Sequence, residues 1–157
     1  ALTMTKRLKG NLLVLGQFIL IALLIVVPSS GLNTGVFSTF LVAISLISMF
    51  LGIVILGLSA LALGKSLTAH PMPGKNAVLV TDGLYRFVKH PIYSGLILLS
   101  FGLTIAGGFF PHAIFFVALV VLLNYKASFE EKLLASTYAG YAEYSKKTGR
   151  FIPRLKR

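Results

Sequence analysis

The sequence contains no cysteine, and acidic residues are also scarce, with only four among 157 residues. The absence of cysteine excludes disulfide bonds and cysteine-ligated metal sites. The three histidines, His70, His90 and His112, lie far apart and lack the short spacing of paired metal ligands, so no metal site is expected. Because carboxylates are so few, those that lie together are the first candidates for chemistry.

Charged residues make up only 12% of the chain, whereas 56% of the residues are hydrophobic and the mean hydropathy is +0.87. This composition is typical of integral membrane proteins and rare in soluble domains. The net charge of +11 does not indicate nucleic-acid binding, because the basic residues flank apolar segments and do not form a basic surface interleaved with aromatic residues. It indicates contact with anionic lipid headgroups.

Four apolar segments predict an all-α, integral membrane helical bundle: residues 11–27, 36–63, 92–106 and 113–126. A helix needs about 20 residues, and at least about 17, to cross a bilayer. The last two segments are shorter than the first two, so either their helices continue past the apolar residues or the turn at Gly107 and Gly108 lies inside the membrane. The first segment is not followed by a good signal-peptidase site, and it is interpreted as an uncleaved helix.

The distribution of positive charge predicts how these helices cross the membrane. All fifteen lysines and arginines lie before the first apolar segment, between the second and the third, or from Lys126 onward. The connecting segments 29–35 and 107–112 contain none. By the positive-inside rule, the three basic regions are cytoplasmic. The sequence therefore predicts about four transmembrane helices with both termini in the cytoplasm.

Small residues on the second apolar segment predict close packing against a neighbouring helix. Four of them share one helical face: Ser45, Ser48, Gly52 and Ser59. In lipid, small side chains allow two helix backbones to approach closely. Gly57, Ala60 and Gly64 lie near another face, where a dimer contact is the alternative to packing within one chain.

The segment before the third apolar run carries turn and capping signals. Asp82 precedes a glycine, and Thr81 or Asp82 can cap a short helix that carries Tyr85 and Arg86. Pro91 is suited to the first turn of the helix that follows.

Beyond Lys126 the pattern changes to that of an amphipathic C-terminal helix. One face carries Glu130, Leu133, Leu134, Thr137, Tyr138 and Tyr141. Thr148 and Gly149 are expected to end the helix. Such a helix is typical of a segment that lies on the cytoplasmic headgroups.

Glu130 and Glu131 are adjacent at the predicted inner end of the fourth membrane helix. One interpretation is that either glutamate pairs with Lys126 or Lys132 across one helix turn. The alternative is that a glutamate faces a cytoplasmic pocket, where it binds a cationic ligand or accepts hydrogen bonds from ribose hydroxyls.

A cationic cluster, Arg86, Lys89 and His90, lies at the same predicted membrane face. Lys89 is expected to extend toward lipid phosphates. His90 is either an interfacial histidine or part of a site. Together with the glutamate pair, the cluster could hold a ligand that bears both charges, such as one with an amino-acid moiety.

Two separated motifs give this pattern a family resemblance. Residues 83–86 (Gly-Leu-Tyr-Arg) and 90–93 (His-Pro-Ile-Tyr) resemble the GxYRxxRHPxY signature of the isoprenylcysteine carboxyl methyltransferase and phospholipid methyltransferase superfamily. The adjacent glutamates and the ending Phe151-Ile152-Pro153 resemble the second motif of that superfamily. The resemblance covers residues 63–153, and Lys89 departs from it where arginine is usual, which loses planar bidentate contact.

The resemblance implies a single membrane-embedded domain over residues 1–157, with its catalytic part in residues 63–153. It implies an S-adenosylmethionine-dependent methyltransferase whose cofactor lies at the cytoplasmic face. One wall of the cofactor site would be formed by Tyr85, Arg86, His90, Pro91 and Tyr93, with Glu130 and Glu131 opposite.

The resemblance also suggests residues for the chemistry of methyl transfer. A glutamate of the pair would compensate the charge of the sulfonium. If the acceptor is a carboxylate, Arg150 would orient it, although an arginine here could equally bind lipid. If the acceptor is an amine, His90 or Glu131 would serve as the base.

The methyl acceptor is expected to be lipophilic or prenylated and to enter from the bilayer. Two other functions remain open. One is an NADPH-dependent enzyme like the sterol reductases, against which the short chain argues. The other is a non-catalytic membrane scaffold.

Overall fold

The computed structural model of the protein describes residues 2–30, 36–67 and 78–155. Within these ranges five α-helices follow one another: α1 (Leu2–Val26), α2 (Val36–Leu63), α3 (Pro91–Ala106), α4 (His112–Thr137) and α5 (Tyr141–Lys147). Two 3₁₀ turns, Gly64–Ser66 and Gly83–Arg86, lie between α2 and α3. No strand occurs within the described ranges, and the predicted all-α class is confirmed. His70 lies outside those ranges.

Polar side chains occupy much of the interior, while apolar side chains cover the outside. Among the buried polar residues are Gln17, Ser45 and Lys126, whereas Phe50 and Leu61 on α2 are 66% and 81% exposed. An apolar surface of this extent is suited to contact with lipid. In water it would cause copies of the protein to associate. This arrangement confirms the prediction of a membrane helical bundle.

In the part of the chain that the structure describes, three helices are long and apolar enough to cross a bilayer, namely α1, α2 and α4. The shorter α3 has 16 residues, which correspond to about 24 Å of helix at 1.5 Å per residue, less than the hydrocarbon thickness of about 30 Å. The fourth helix instead continues well beyond its apolar segment, to Thr137. The prediction that a helix continues past its short apolar segment therefore applies to α4 and not to α3. The sidedness of the termini stays a prediction.

The predicted small-residue face of α2 packs against α3. Ser45 Oγ donates to the carbonyl of Gly102 at 2.8 Å, and Ser48 Oγ donates to that of Leu98 at 2.6 Å. At Gly52 the two backbones approach so closely that an added Cβ would lie 2.6 Å from the amide nitrogen of Leu99. In contrast, a Cβ at Gly57 would meet nothing within 4 Å, so Gly57 is not part of a close helix contact within the described chain.

The second helix pair, α1 and α4, packs beside α3. Their shared core contains five buried residues: Leu24, Tyr93, Leu119, Leu123 and Ala127. Tyr93 is the member of this core that also reaches the polar cluster described below. The bundle core is therefore continuous with the candidate site.

The C-terminal part differs from the single amphipathic helix that the sequence predicted. The amphipathic residues up to Thr137 form the last turns of α4, and the chain is extended at Tyr138 before the separate helix α5 begins at Tyr141. Gly140 directly precedes α5. The break lets α5 turn away from the axis of α4, which a continuous helix could not do.

The predicted turn at Asp82 and Gly83 and the predicted position of Pro91 are confirmed, whereas the predicted side-chain cap is not found at Asp82. Gly83 has a φ of +57°, a backbone conformation that glycine adopts without strain, and it opens the turn that carries Tyr85. Asp82 stands at the N-cap position but makes no side-chain capping bond. Pro91 occupies the first turn of α3.

Candidate functional site

Three segments that are distant in the sequence meet at one end of the bundle: the loop before α3, the second half of α4, and the tail after α5. The loop and the tail are joined by parallel backbone pairing between Val88 and Gly149. The amide of Lys89 donates to the carbonyl of Gly149 at 2.7 Å, and the amide of His90 donates to that of Arg150 at 3.1 Å. This pairing holds the tail beside the loop and directs both toward α4.

Gly149 is required for the tight turn that the tail makes beside the loop. A Cβ on it would lie 1.8 Å from the carbonyl oxygen of Ile152, which is closer than any real contact. The tail therefore turns back on itself directly after the paired residue. The sequence prediction treated Thr148 and Gly149 only as the end of a helix.

Glu131 is the centre of the charged cluster. The guanidinium of Arg150 binds its carboxylate through two nitrogens, with Nε to Oε1 and Nη2 to Oε2 both at 3.0 Å. His90 Nε2 lies 3.0 Å from Oε1, and Lys89 Nζ lies 3.4 Å from Oε2. The sequence left open whether Glu131 pairs across one helix turn or faces a ligand pocket. In the structure it contacts side chains of the loop and the tail, and a ligand beside it stays a prediction.

Glu130 faces the same cluster from the adjacent position on α4. Its Oε2 lies 3.4 Å from His90 Nδ1, and its Oε1 accepts a hydrogen bond from the hydroxyl of Tyr93. The rings of His90 and Tyr93 stack in parallel with their centroids 5.3 Å apart. The edge of Phe151 closes the group against both rings. Both glutamates are thus held on the same side by the loop and by the first turn of α3.

His90 has a carboxylate oxygen beside each of its ring nitrogens. A neutral imidazole carries only one N–H, so the doubly protonated ring satisfies both contacts better. Burial by itself lowers the pKa of His90, but the hydrogen bonds and charges of Glu130 and Glu131 outweigh burial and raise that pKa above its ordinary value. His90 is therefore built to be a cation within this cluster.

The stability of the protein should depend on the protonation of His90. Because the folded-state pKa of His90 is raised, its contribution is complete below the unfolded pKa of about 6.5 and is lost as the pH rises through the folded value. We expect the free energy of unfolding in detergent micelles to fall over that window by about 1.4 kcal/mol per pH unit. The variant His90→Gln should lose this slope. If the free energy of unfolding of the variant depends on pH as that of the wild type does, a group other than His90 titrates.

Arg150 connects α4 to the tail at two points. Besides Glu131, its Nη1 donates to Asn124 Oδ1 at 2.7 Å. The described contacts use three of the five N–H donors of the guanidinium, and its side chain is 33% exposed. The other two donors take part in none of the contacts within the described residues. Asn124 thus orients this arginine.

Replacing Arg150 by lysine should weaken the cluster although the charge is kept. A lysine ammonium cannot span Glu131 and Asn124 as the planar guanidinium does. For Arg150→Lys we expect the free energy of unfolding to fall by about 1–2 kcal/mol, because a charged hydrogen bond usually contributes about 1.5–3 kcal/mol and Arg150 is one-third exposed. The matched control is Arg154→Lys, at an exposed arginine of the same tail, and it should change stability by less than about 0.5 kcal/mol. Equal losses in the two variants would contradict the bridging role.

The remaining predicted wall residues differ in their surroundings. Tyr85 is buried, and burial followed by the nearby Tyr144 and Glu130 raises the pKa of its hydroxyl, so the hydroxyl stays protonated. Pro91 is fully buried at the start of α3. Arg86 is exposed, and none of its side-chain contacts described here reaches the glutamates. The structure thus brings together the predicted residues except Arg86.

Sequence reasoning missed several contributors. Lys89 was expected to reach lipid phosphates, but its side chain is only 11% exposed and its Nζ also donates to Ser145 Oγ at 3.2 Å. That expectation is wrong because the pairing of the loop with the tail turns the side chain inward. Tyr144 binds the carbonyl of Tyr85 at 2.6 Å and so fixes α5 to the 3₁₀ turn. No short-range periodicity indicates these contacts.

Residues 37–140 match the family model described as phospholipid methyltransferase. One similar protein is the cobalt-zinc-cadmium resistance protein CzcN of Cupriavidus metallidurans, 32% identical over 102 residues, which are 64% of this chain and 47% of that protein. Another is the protein-S-isoprenylcysteine O-methyltransferase of Schizosaccharomyces pombe, 33% identical over 81 residues, which are 50% of this chain and 34% of that protein. The chain thus spans less than half the length of each of these relatives.

Proposed function

Because the chain belongs to the phospholipid methyltransferase family, we propose that it transfers the methyl group of S-adenosylmethionine to a lipophilic acceptor at the cytoplasmic membrane face. The family and the relative support the general class, an integral membrane methyltransferase. The methyl donor, the acceptor and the sidedness are our proposal. The observation that carries it is the pair Glu130 and Glu131, surrounded by the side chains of Lys89, His90 and Arg150.

The chemistry of the cluster fits a ligand of mixed charge. Glu130, which His90 and Tyr93 hold, can compensate a sulfonium and accept hydrogen bonds from ribose hydroxyls. The two remaining N–H donors of Arg150 can bind a carboxylate. S-adenosylmethionine offers all of these groups. When bound, it supplies a methyl group on a positively charged sulfur, which becomes a neutral thioether as the methyl group moves to the acceptor.

The residues of the site would act mainly by positioning and electrostatics. Tyr93 and His90 hold Glu130, and His90, Lys89 and Arg150 hold Glu131, so the pair is fixed before a ligand arrives. Fixed charges near the reacting atoms favour methyl transfer because little reorganisation is needed during the reaction. Methyl transfer to a carboxylate needs no base, since no proton leaves the acceptor.

The same geometry favours a carboxylate over an amine as the acceptor. Both nitrogens of His90 face carboxylates, and Glu131 already accepts from three side chains. A group engaged in this way is poorly placed to remove a proton from an amine. One relative is named for the O-methylation of an isoprenylcysteine, which agrees with an acceptor that is a carboxylate on a lipophilic body. A prenylcysteine-type acid is therefore the acceptor class that we propose.

Calorimetric titration of the purified protein in detergent tests this function directly. S-adenosylhomocysteine, the product form of the donor, and NADPH are titrated in parallel. Saturable binding of S-adenosylhomocysteine alone is the expected result. Binding of NADPH alone would support a reductase, and binding of neither would support a scaffold.

A second measurement identifies the acceptor. The protein is incubated with S-adenosylmethionine labelled in its methyl group and with lipid extracts that contain prenylated acids or, separately, amine phospholipids. We expect label that is released by mild base, as from a methyl ester. Base-stable label on the amine lipids would overturn the carboxylate assignment while leaving the methyltransferase assignment in place.

A further inference from the structure

Lys126 places an ammonium group in the interior of the bundle. Its residue is 1% exposed, and its Nζ donates to Gln17 Oε1 at 2.7 Å. The same Nζ lies 5.1 Å from the centroid of the Tyr93 ring, a distance at which cation and ring attract. Ionisable groups inside membrane helices are expensive, and they usually serve a function.

The ammonium lies directly behind the acid pair. Tyr93, whose ring it contacts, donates its hydroxyl to Glu130 and stacks on His90. Glu130 itself follows Lys126 by one helix turn on α4, and the two charges attract each other. Lys126 can therefore act on the site through the orientation of Tyr93 and through the charge that it places near Glu130.

Gln17 brings α1 into this arrangement. It is buried on α1 and lies outside residues 37–140, the part of the chain that matches the family model. Its amide oxygen accepts the hydrogen bond from Lys126. An apolar side chain of similar length would fill the space of Lys126 with a smaller desolvation penalty. The requirements of folding alone thus do not explain a lysine at this position.

We propose that Lys126, held by Gln17, is a positioning residue for the donor site and that α1 thereby belongs to the functional unit. This inference rests on the proposed methyltransferase function. The ammonium fixes the ring of Tyr93, whose hydroxyl in turn fixes Glu130. It also contributes positive charge next to the paired carboxylates.

The variant Lys126→Met separates positioning from a structural role. Methionine is similar in length and uncharged, so the free energy of unfolding should stay the same or rise. The affinity for S-adenosylhomocysteine should nevertheless fall about tenfold. Lys132→Met, at an exposed lysine of the same helix, is the matched control and should bind as the wild type does. Wild-type affinity in Lys126→Met would overturn the proposal.

Three further variants keep the test decisive if Lys126→Met folds poorly. Gln17→Leu leaves the ammonium buried without its amide partner, so both stability and affinity should fall. Adding Lys126→Met to Gln17→Leu should restore stability but not affinity. Lys126→Arg keeps the positive charge and should retain more affinity than Lys126→Met. If stability and affinity instead recover together in the double variant, Lys126 is only structural and the proposal is wrong.

The failure of the proposed function would be visible without any substitution. If the wild-type protein does not bind S-adenosylhomocysteine, the methyltransferase assignment fails at that point. The positioning role fails separately, when the wild type binds and the lysine variants bind equally well.

Discussion

Glu131→Gln should abolish tight binding of S-adenosylhomocysteine while leaving the helices formed. The substitution removes the charge that Lys89, His90 and Arg150 share, and it leaves these groups close together without compensation. We expect the affinity to fall at least about 100-fold, equivalent to about 2.7 kcal/mol of binding free energy. The helical signal in circular dichroism should not change, because α4 continues through this position.

The same variant should also be less stable. Breaking a buried ion pair usually costs about 3–5 kcal/mol, but Arg150 is one-third exposed, so a loss of about 2–3 kcal/mol in the free energy of unfolding is expected here. Thermal and denaturant unfolding in micelles measures this loss. The affinity should be determined at a temperature where both proteins are folded, so that the two effects are separated.

Glu143→Gln is the matched control for this experiment. Glu143 pairs with Lys147 at 3.4 Å, but the two side chains are 74% and 77% exposed. Such surface pairs contribute about 0–1 kcal/mol, and Glu143 does not contact the cluster in the described contacts. If Glu131→Gln behaves like Glu143→Gln in both affinity and stability, the site is wrongly assigned.

Gly52→Ala should have the largest effect on assembly of the bundle. A Cβ at this position would lie 2.6 Å from the amide nitrogen of Leu99 and 2.8 Å from the carbonyl oxygen of Gly95. Both are backbone atoms, which cannot rotate away as a side chain does, so α2 and α3 must separate. Overpacking of this kind costs about 1–3 kcal/mol, and we expect a loss at the upper end, about 3 kcal/mol.

Separation of α2 from α3 should also disturb the site. The 3₁₀ turn that carries Tyr85 packs on α2, where a Cβ at Gly83 would lie 3.6 Å from that of Ala62. A displaced α2 moves this turn relative to α4. We therefore expect the affinity for S-adenosylhomocysteine to fall together with stability in Gly52→Ala, unlike in Lys126→Met.

Gly57→Ala provides the comparison on the same helix. A Cβ at Gly57 meets nothing within 4 Å, and alanine is favoured over glycine in helices by up to about 1 kcal/mol. This variant should be as stable as the wild type or slightly more stable, which denaturant titration in micelles can measure. If both substitutions are tolerated, α2 and α3 do not pack as closely as the structure describes.

Local patterns in the sequence predicted much of the fold. Apolar length located the helices, the small residues at Ser45, Ser48 and Gly52 identified the α3-facing side of α2, and Pro91 marked the start of α3. Each of these features depends on residues within one helix or one turn. These features can therefore be predicted from a short stretch of sequence.

Features that depend on distant residues could not be predicted in this way. The pairing of Val88 with Gly149 joins segments about 60 residues apart and determines that Lys89 points inward. The bond between Gln17 and Lys126 likewise joins the first and fourth helices, and neither residue belongs to a recognisable pattern. The resemblance of the sequence motifs to those of the methyltransferase superfamily did bring His90, Glu130 and Glu131 together as one candidate site. It did not indicate which contacts hold these residues in place.

The pairing of the tail with the loop has a consequence for biosynthesis. A ribosome adds about 5–20 residues per second and makes the chain from its N-terminus, so all five helices are synthesised before Arg150. Until that residue is made, Glu131 lacks the guanidinium that contacts both of its oxygens. Insertion of the helices into the membrane can thus be under way before the charged cluster is complete, and a nascent chain that stops at Lys147 carries the helices without the finished site.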